Sequence, residues 1–477
     1  MLFNSLTFLL FFPIVVALYW FLPAKGQWRN SMLLLASYYF YMNWEPVYAI
    51  LIFISTLTTW AGALMVERTA AHRRKRYLVA TLIVNLGILF TYKYLGFVGN
   101  EIRHLFDALG IGIDVPQFTF LLPVGISFYT FQAVGYLVDV WRGRLRAERN
   151  LFTYALFVSF FPQLVAGPIE RATNLLGQFH TRHRFSPADL IHGLELMVFG
   201  YFMKLCIAEN VAPYVDAVFN NIPLHNGNSI MLASFFFSFQ ILCDFGGYSL
   251  IAIGAARCMG FSLMQNFRQP YLATDVKDFW RRWHISLSSW FSDYVYIPLG
   301  GNRVKPARHM GNLFTTFLLS GIWHGANYTF IVWGAYHGIL QCIHATYRRL
   351  GGGLPDRTGF KVLNIVITFL LMTIGWIFFR ANSIGDAFLA LRKIVTERGM
   401  LFNGEGKPSI IMPMLLIGLL TVFEIIHERR DERTGVKTGC HSYRQSLRAS
   451  IFTTAFLIVV ILLTAQFSGG QFIYFQF

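Results

Sequence analysis

The sequence is poor in charged residues, in acidic residues above all, and in cysteine. Only 13% of its 477 residues are charged, against roughly 25% in an ordinary globular protein. So little polar surface cannot cover the roughly three water-facing domains that this length would otherwise allow. Five cysteines are too few for a disulfide framework. These deficits exclude a soluble multidomain protein, a disordered chain and a disulfide-stabilised secreted scaffold.

The sequence is instead rich in apolar and aromatic residues. Hydrophobic residues make up 55% of the chain and aromatic residues 17%, and the mean hydropathy is +0.48. The net charge is 40 − 24 = +16. In so apolar a chain this excess is typical of cytoplasmic loops and of contacts with anionic lipid headgroups, and we expect no nucleic-acid partner. The composition predicts an all-α polytopic membrane protein.

Long stretches without Asp, Glu, Lys or Arg mark the membrane segments, since a crossing helix needs about 20 mostly apolar residues. About 11 to 13 transmembrane or re-entrant segments follow by the same reasoning. The N-terminal stretch is interpreted as the first span and not as a cleaved leader. The run at 310–347 is too long for one straight helix and should turn back at Gly325–Asn327 or near Gly334. The uncharged stretches are 5–24, 30–44, 46–66, 77–92, 115–138, 150–169, 217–243, 310–347, 362–379, 408–423 and 449–477.

Basic residues concentrate in alternate loops. The loops at 25–29, 67–76 and 139–149 carry them, which places these loops in the cytoplasm and the N-terminus outside. A re-entrant 150–169, broken at Pro162 and Gly167-Pro168, would keep the basic loop that follows in the cytoplasm. Broken backbone at membrane depth must line a cavity or lie inside protein. We therefore expect an internal chamber that is reached from the cytoplasm.

One extended polar piece completes this organisation. The stretch 428–448 is predicted to be a cytoplasmic loop between the last two spans. The chain as a whole, 1–477, is interpreted as one membrane-embedded domain. Within it we expect peripheral spans at 1–114, a catalytic core at 115–347 and C-terminal spans at 348–477.

The stretch from Asp278 to Trp290 is the first candidate for chemistry. On a continuous helix its tryptophans and Leu287 form one apolar stripe. An interfacial helix lying in the headgroups is the favoured interpretation. That interpretation does not explain His284, which would lie at the edge of the stripe.

His324 is the second candidate, because it lies 15 residues inside the uncharged run 310–347. An ionisable side chain at membrane depth indicates a functional site, and Gly321 and Gly325 allow a close backbone approach or a break beside it. Its unperturbed pKa near 6.5 suits an imidazole to accept a proton from a hydroxyl. His337 and His344 lie nearer the end of the run and are predicted to be structural. No metal is expected, since the spacings of common metal sites are missing.

Several short motifs follow one another in a fixed order along nearly the whole chain. They are Leu122 to Phe131, Val165 to Pro168, Asp244 to Ser249, Gln265 to Tyr271, Phe279 to Ser289, Leu299 to Arg303, Trp323 to Ala326 and Phe472 to Phe477. Together they resemble the motifs of the membrane-bound O-acyltransferases, and among them the branch that acetylates alginate and other exported polysaccharides.

The resemblance implies a disc of helices with a funnel on each face and a tunnel near the key histidine. It implies that His324 is the catalytic general base and that His284 positions donor or acceptor. Acetyl-CoA is implied as a cytoplasmic donor substrate, with no bound cofactor. The residues expected to bind substrate are Trp323, Asn302, Arg281 and Trp283.

The acceptor stays open between alginate, acetylated cellulose or a similar exopolysaccharide, and peptidoglycan. Three positions depart from the family pattern without touching the two histidines: Gly246, Leu250 and Glu170. The resemblance further implies the bacterial inner membrane, a polysaccharide synthase and a separate periplasmic or secreted esterase-like partner with a Ser-His-Asp triad. D-alanylation of teichoic acid is one alternative. A proton-coupled transporter is another, disfavoured because neither paired charges at membrane depth nor internal symmetry is visible.

Overall fold

A computed structural model describes residues 1–112, 116, 121–165, 167–352, 358–403, 410–434 and 447–466. Within these ranges the chain is helical and contains no strand. The closing motif Phe472 to Phe477 lies outside them. The prediction of an all-α fold is confirmed.

The chain divides into two compact units, one formed by Met1–Met197 with Ile251–Met264, the other by Val198–Leu250 with Gln265–Phe477. The predicted division at 114 and 347 stays a prediction. The main helices of the first unit are Leu6–Phe21, Trp28–Met42, Ala49–Arg68, Ala71–Lys93, Leu95–Ala108, Ile126–Trp141 and Leu151–Ser159. The main helices of the second are Glu209–Phe219, Val276–Arg282, Ile285–Phe291, Pro306–His324, Tyr328–Arg349, Thr358–Arg380, Ile384–Thr396, Ile411–Thr434 and Leu447–Thr464. The chain passes between the units inside the helices Pro187–Tyr201 and Gly227–Cys258.

Five of the described helices are long and apolar enough to cross a membrane, or six if a pair bent by 63° forms one span. This confirms a multi-pass membrane protein, while the count of 11 to 13 segments stays a prediction. The bent pair is Ala71–Lys93 with Leu95–Ala108. The five helices are Pro46–Arg68, Pro187–Phe219, Gly227–Cys258, Gly359–Arg380 and Ile411–Thr434.

The stretch 150–169 is broken, as predicted, although the break lies at Phe160. One helix covers Leu151–Ser159 and a second covers only Phe161–Leu164, with Pro162 in its first turn. Nine residues rise about 13 Å at ~1.5 Å each, far short of a ~30 Å hydrocarbon core. Its side chains from 153 to 165 are buried in protein. Such a segment suits the interior of the first unit, and its re-entrant topology stays a prediction.

The predicted loop 428–448 is wrong in its first part. The helix Ile411–Thr434 continues through 428–434, and residues 435–446 lie outside the described ranges. Glu428 and Asp431 are turned toward protein on this helix. Buried carboxylates therefore extend the helix where their charge had indicated a loop.

Paired buried charges lie on candidate membrane spans, contrary to the sequence interpretation. Lys204 forms ion pairs with Asp244 and, at 3.5 Å, with Glu209, and all three side chains are at most 8% exposed. They lie on two candidate spans, around a π-helical stretch at Phe202–Ala208. Lys204 and Asp244 are 40 residues apart in sequence, so no local pattern revealed this pair. This removes one of the two arguments that had been raised against a transporter.

Candidate functional site

A helical hairpin in the second unit carries His324. The first helix, Pro306–His324, ends at this histidine, and Gly325 continues in an extended conformation. The next helix, Tyr328–Arg349, begins where the Asn327 side chain accepts a hydrogen bond of 3.0 Å from the backbone N–H of Thr329, as an N-cap does. The predicted turn at Gly325–Asn327 is confirmed.

Glycines let the two helices cross in contact just before this turn. A Cβ on Gly321 would lie 2.3 Å from the carbonyl oxygen of Phe330 and 2.9 Å from the Cα of Gly334. A Cβ on Gly325 would lie 2.3 Å from the ring of Phe330. The expectation of a close backbone approach beside His324 is confirmed.

The imidazole of His324 is enclosed by aromatic rings. The side chain is 5% exposed. Ring centroids of Trp333, Trp323 and Phe379 lie 4.9, 5.0 and 5.3 Å from it. This enclosure keeps bulk water from the imidazole.

The predicted interfacial helix over Asp278 to Trp290 is wrong. One helix covers Val276–Arg282, a second covers Ile285–Phe291, and His284 between them adopts the left-handed conformation with φ 41° and ψ 54°. The stripe residues are at most 9% exposed, so protein and not lipid covers them. The left-handed residue turns the second helix onto a new axis, and His284 itself is 1% exposed.

Asn266 ties this turn in place. Its backbone carbonyl accepts from the N–H of Ile285 at 2.9 Å, and its side-chain oxygen accepts from the hydroxyl of Ser286 at 2.6 Å. Its amide donates to the hydroxyl of Ser249 at 2.9 Å. A left-handed conformation is unfavourable for a residue with a side chain, and the two bonds to the residues directly after His284 offset that strain.

The two histidines meet through Trp323. Its ring centroid lies 6.3 Å from that of His284 and 5.0 Å from that of His324. Trp283, in contrast, stacks on Phe279 at 5.5 Å and packs on Trp376 at 4.7 Å. The site brings together three of the predicted residues and places Trp283 in the neighbouring aromatic core.

A cavity of about 840 Å³ lies along the hairpin in the same unit. That volume lies in the range of sites for small molecules and cofactors, about 300–1,000 Å³. The helix Pro306–His324 lines it with His309, Thr316 and Ser320, among others. From His309 to Ser320 the helix rises about 16 Å at ~1.5 Å per residue, and His324 follows one turn beyond Ser320. The cavity thus runs from one end of the hairpin toward His324, although neither His324 nor His284 lines it.

One end of the cavity is strongly basic. Four basic residues line it against one acidic residue, Asp275. Because the two helices are antiparallel, His309 near the start of one lies beside the end of the other, where Arg349 donates to its Nδ1 at 3.0 Å. The basic residues are Lys277, Arg281, Arg348 and Arg349. These cations suit a polyanion, and Trp280 and Phe317, whose ring centroids lie 5.0 Å apart, add apolar side chains to the lining.

The remaining predicted residues divide between this cavity and the core. Arg281 and Asn302 line the cavity. So does His344, which had been predicted to be structural. His337 is fully buried, with ring centroids of Trp333 and Trp280 at 4.8 and 5.0 Å.

Sequence reasoning missed the basic residues at the end of the hairpin and the rings around His324. Helical spacing could have found the face of the helix that lines the cavity, since His309, Thr316 and Ser320 fall on one face, and His324 follows on it. No group of three or more His, Cys, Asp or Glu side chains in the described part of the chain could hold a metal ion.

Comparison with known proteins gives a consistent result. The model of the membrane-bound O-acyltransferase family matches residues 142–383. The "probable alginate O-acetylase AlgI" of Pseudomonas aeruginosa is 40% identical over 393 residues, covering 81% of this chain and 74% of that protein. The peptidoglycan O-acetyltransferase of Helicobacter pylori is 34% identical over 84% of this chain and 81% of its own. The teichoic acid D-alanyltransferase of Bacillus subtilis is 30% identical over 54% of this chain and 68% of its own.

Proposed function

Because the chain belongs to the membrane-bound O-acyltransferase family, we propose that it takes acetyl from cytoplasmic acetyl-CoA and passes it across the membrane for O-acetylation of an exported polysaccharide. Membership of the family makes the protein an acyltransferase. The donor, the base and the direction of transfer are the proposal, and the cavity that ends near His324 is the observation that carries it.

The charge distribution of the cavity supports acetyl-CoA as the donor. The phosphates of CoA would bind at the end lined by Lys277, Arg281, Arg348 and Arg349, since Arg and Lys are the usual partners of phosphate. The uncharged pantetheine arm would follow the cavity past Thr316 and Ser320. The thioester would then reach the level of His324, while the nucleotide stays on the cytoplasmic side. A small acetyl group can cross where a polyanion cannot.

Burial and placement support His324 as a general base. In the proposed step the imidazole takes the proton of the acceptor hydroxyl, and the hydroxyl oxygen attacks the thioester carbonyl carbon. A C–O bond forms, the C–S bond breaks, and the CoA sulfur receives the proton from His324. Trp323 would fix the imidazole with its ring contact of 5.0 Å, and His284, held by Asn266, would position the reacting groups from the other side of Trp323.

The relatives support a polysaccharide as the final acceptor. Relatives with acetylase names cover more than four fifths of this chain, whereas the D-alanyltransferase covers 54%. We propose an alginate-like exopolysaccharide first and peptidoglycan second, in the bacterial inner membrane. A periplasmic or secreted esterase-like partner and a polysaccharide synthase would complete the system.

The test uses purified full-length protein in nanodiscs with radiolabelled acetyl-CoA. We expect CoA release with transfer of label to water, partner or polymer, and loss of both in His324→Ala. The matched control is His192→Ala, in a side chain of the first unit that pairs with Glu195, which should keep wild-type turnover. Wild-type protein that neither binds nor consumes acetyl-CoA, with polymer and partner supplied, would refute the donor assignment.

A further inference from the structure

Glu424 is a buried carboxyl group that the proposed reaction does not use. It lies on the candidate span Ile411–Thr434 and is 4% exposed. No hydrogen bond or ion pair joins its carboxyl group to another residue in the part of the chain that the structure describes. An ionisable group in a membrane helix indicates function, and a buried carboxyl group without a protein partner needs one of another kind.

The carboxyl group faces a small second cavity in the same unit. Its volume is about 20 Å³. This is enough for one water molecule, which needs a cavity of roughly 10–15 Å³. Ser249, Asn266 and Gln269 also line it. With Glu424 they supply the two to four polar partners that a buried water takes.

The Ser249 hydroxyl is suited to donate a hydrogen bond to such a water. It accepts from the amide of Asn266 at 2.9 Å, and its own hydrogen has no acceptor within the described ranges. Since Ser249 lines the same cavity as Glu424, its hydroxyl and the carboxyl group can bond one water between them. Without that water two buried polar groups would lack partners, at a considerable energetic cost.

This cavity adjoins the support of His284. Asn266, which lines it, also holds the residues directly after His284 through Ser286 and Ile285. One helical turn beyond Glu424, Glu428 accepts two hydrogen bonds of 2.8 Å from Arg282, two residues before His284. On this face of the helix Ile411–Thr434, Glu428 thus binds the residue before the turn, and Glu424 faces the cavity that Asn266 also lines.

We propose that Glu424 holds a structural water that bridges its carboxyl group to Ser249 and Asn266, and that this water positions His284 for acyl transfer. Glu424 is a positioning residue, since it acts through Asn266 and touches no reacting atom. The inference rests on the proposed function and names a support for that same site.

Kinetics of the purified full-length chain with acetyl-CoA test the positioning. We expect Glu424→Ala to lower kcat about tenfold while KM stays within about twofold, because the donor cavity is untouched. Glu424→Gln can still bond the water and should stay within about threefold of wild type. Ser249→Ala should match Glu424→Ala, and the double variant should be no worse than either alone, since both remove one water. Glu432→Gln, an exposed carboxylate on the same helix paired with Lys361, is the control without effect.

Several outcomes would overturn the inference. A wild-type kcat in Ser249→Ala would contradict the shared water even if Glu424→Ala fails to fold. Losses of kcat that multiply in the double variant would contradict it as well. A density map that shows other internal waters but none beside the Glu424 carboxyl group would also contradict the proposal, and this test does not depend on activity. A wild-type protein that does not turn over acetyl-CoA refutes the proposed function instead, and the map then still decides whether the water exists.

Discussion

Adding one methyl group at Gly321 should separate the hairpin that carries the proposed base. The new Cβ of Gly321→Ala would lie 2.3 Å from the carbonyl oxygen of Phe330, whereas ordinary contact begins at 3.4 Å. The deficit is 3.4 − 2.3 = 1.1 Å. Both neighbours, Phe330 oxygen and Gly334 Cα, are backbone atoms that no side-chain rotation can move. One helix must therefore shift by about 1 Å beside His324.

The expected size follows from this shift. Overpacking of a tight contact destabilises by about 1–3 kcal/mol, and a misplacement of about 1 Å near reacting groups can lower the rate by up to ~10²-fold. Gly311 is the matched control, since it lies on the same helix and a Cβ there meets nothing within 4 Å. Gly311→Ala should leave activity unchanged and stabilise by about 0.5–1 kcal/mol.

Thermal unfolding in detergent and acetyl-CoA turnover of both variants provide the assay. We expect Gly321→Ala to melt lower than wild type and to lose most of its kcat, with Gly311→Ala equal or better in both. If Gly321→Ala is as stable and active as Gly311→Ala, the close helix crossing does not exist in the protein and the reasoning fails.

Three further predictions concern charge. Lys204→Met should destabilise by about 3–5 kcal/mol by leaving Asp244 and Glu209 buried without their cation, and an unchanged melting temperature would contradict this. Burial raises the pKa of the Glu170 carboxyl group from its ordinary value of 4.5 to about 7. Its carboxyl group therefore contributes most stability below about pH 4.5 and loses it as the pH rises through about 7. Glu170→Gln should flatten that part of the curve of melting temperature against pH, and an identical curve would refute it. Arg281→Ala should raise KM for acetyl-CoA with kcat nearly unchanged, more so at low salt, and equal KM values at all salt concentrations would exclude a phosphate contact.

Local sequence patterns were sufficient to predict the helical hairpin that carries His324. An uncharged run of twice the needed length and the Gly325–Asn327 turn predicted two antiparallel helices with His324 at their junction. The glycines beside it predicted the close crossing. Periodicity and turn chemistry act over a few residues, so one sequence can reveal them.

Two features depended on distant partners and were missed. The stripe of tryptophans predicted a continuous helix, but Asn266 binds Ile285 and Ser286 and stabilises a left-handed residue at 284. Lys204 and Asp244 are 40 residues apart, so their pairing appears only when their helices pack. Tertiary hydrogen bonds overrode local preference in both.

The basic end of the cavity was found only in part, for a related reason. The family resemblance indicated Arg281 as a substrate-binding residue, whereas Arg348 and Arg349 were not predicted. The antiparallel hairpin brings this end beside His309. A cationic site assembled from three segments is invisible in each of them.

A structure of the protein with CoA bound tests the central claim most directly. We expect the CoA phosphates within hydrogen-bond distance of Arg281, Arg348 or Arg349, and the sulfur beyond Ser320 at the level of His324. CoA bound outside this cavity, or with its sulfur at the basic end, would contradict the proposed path from donor to base.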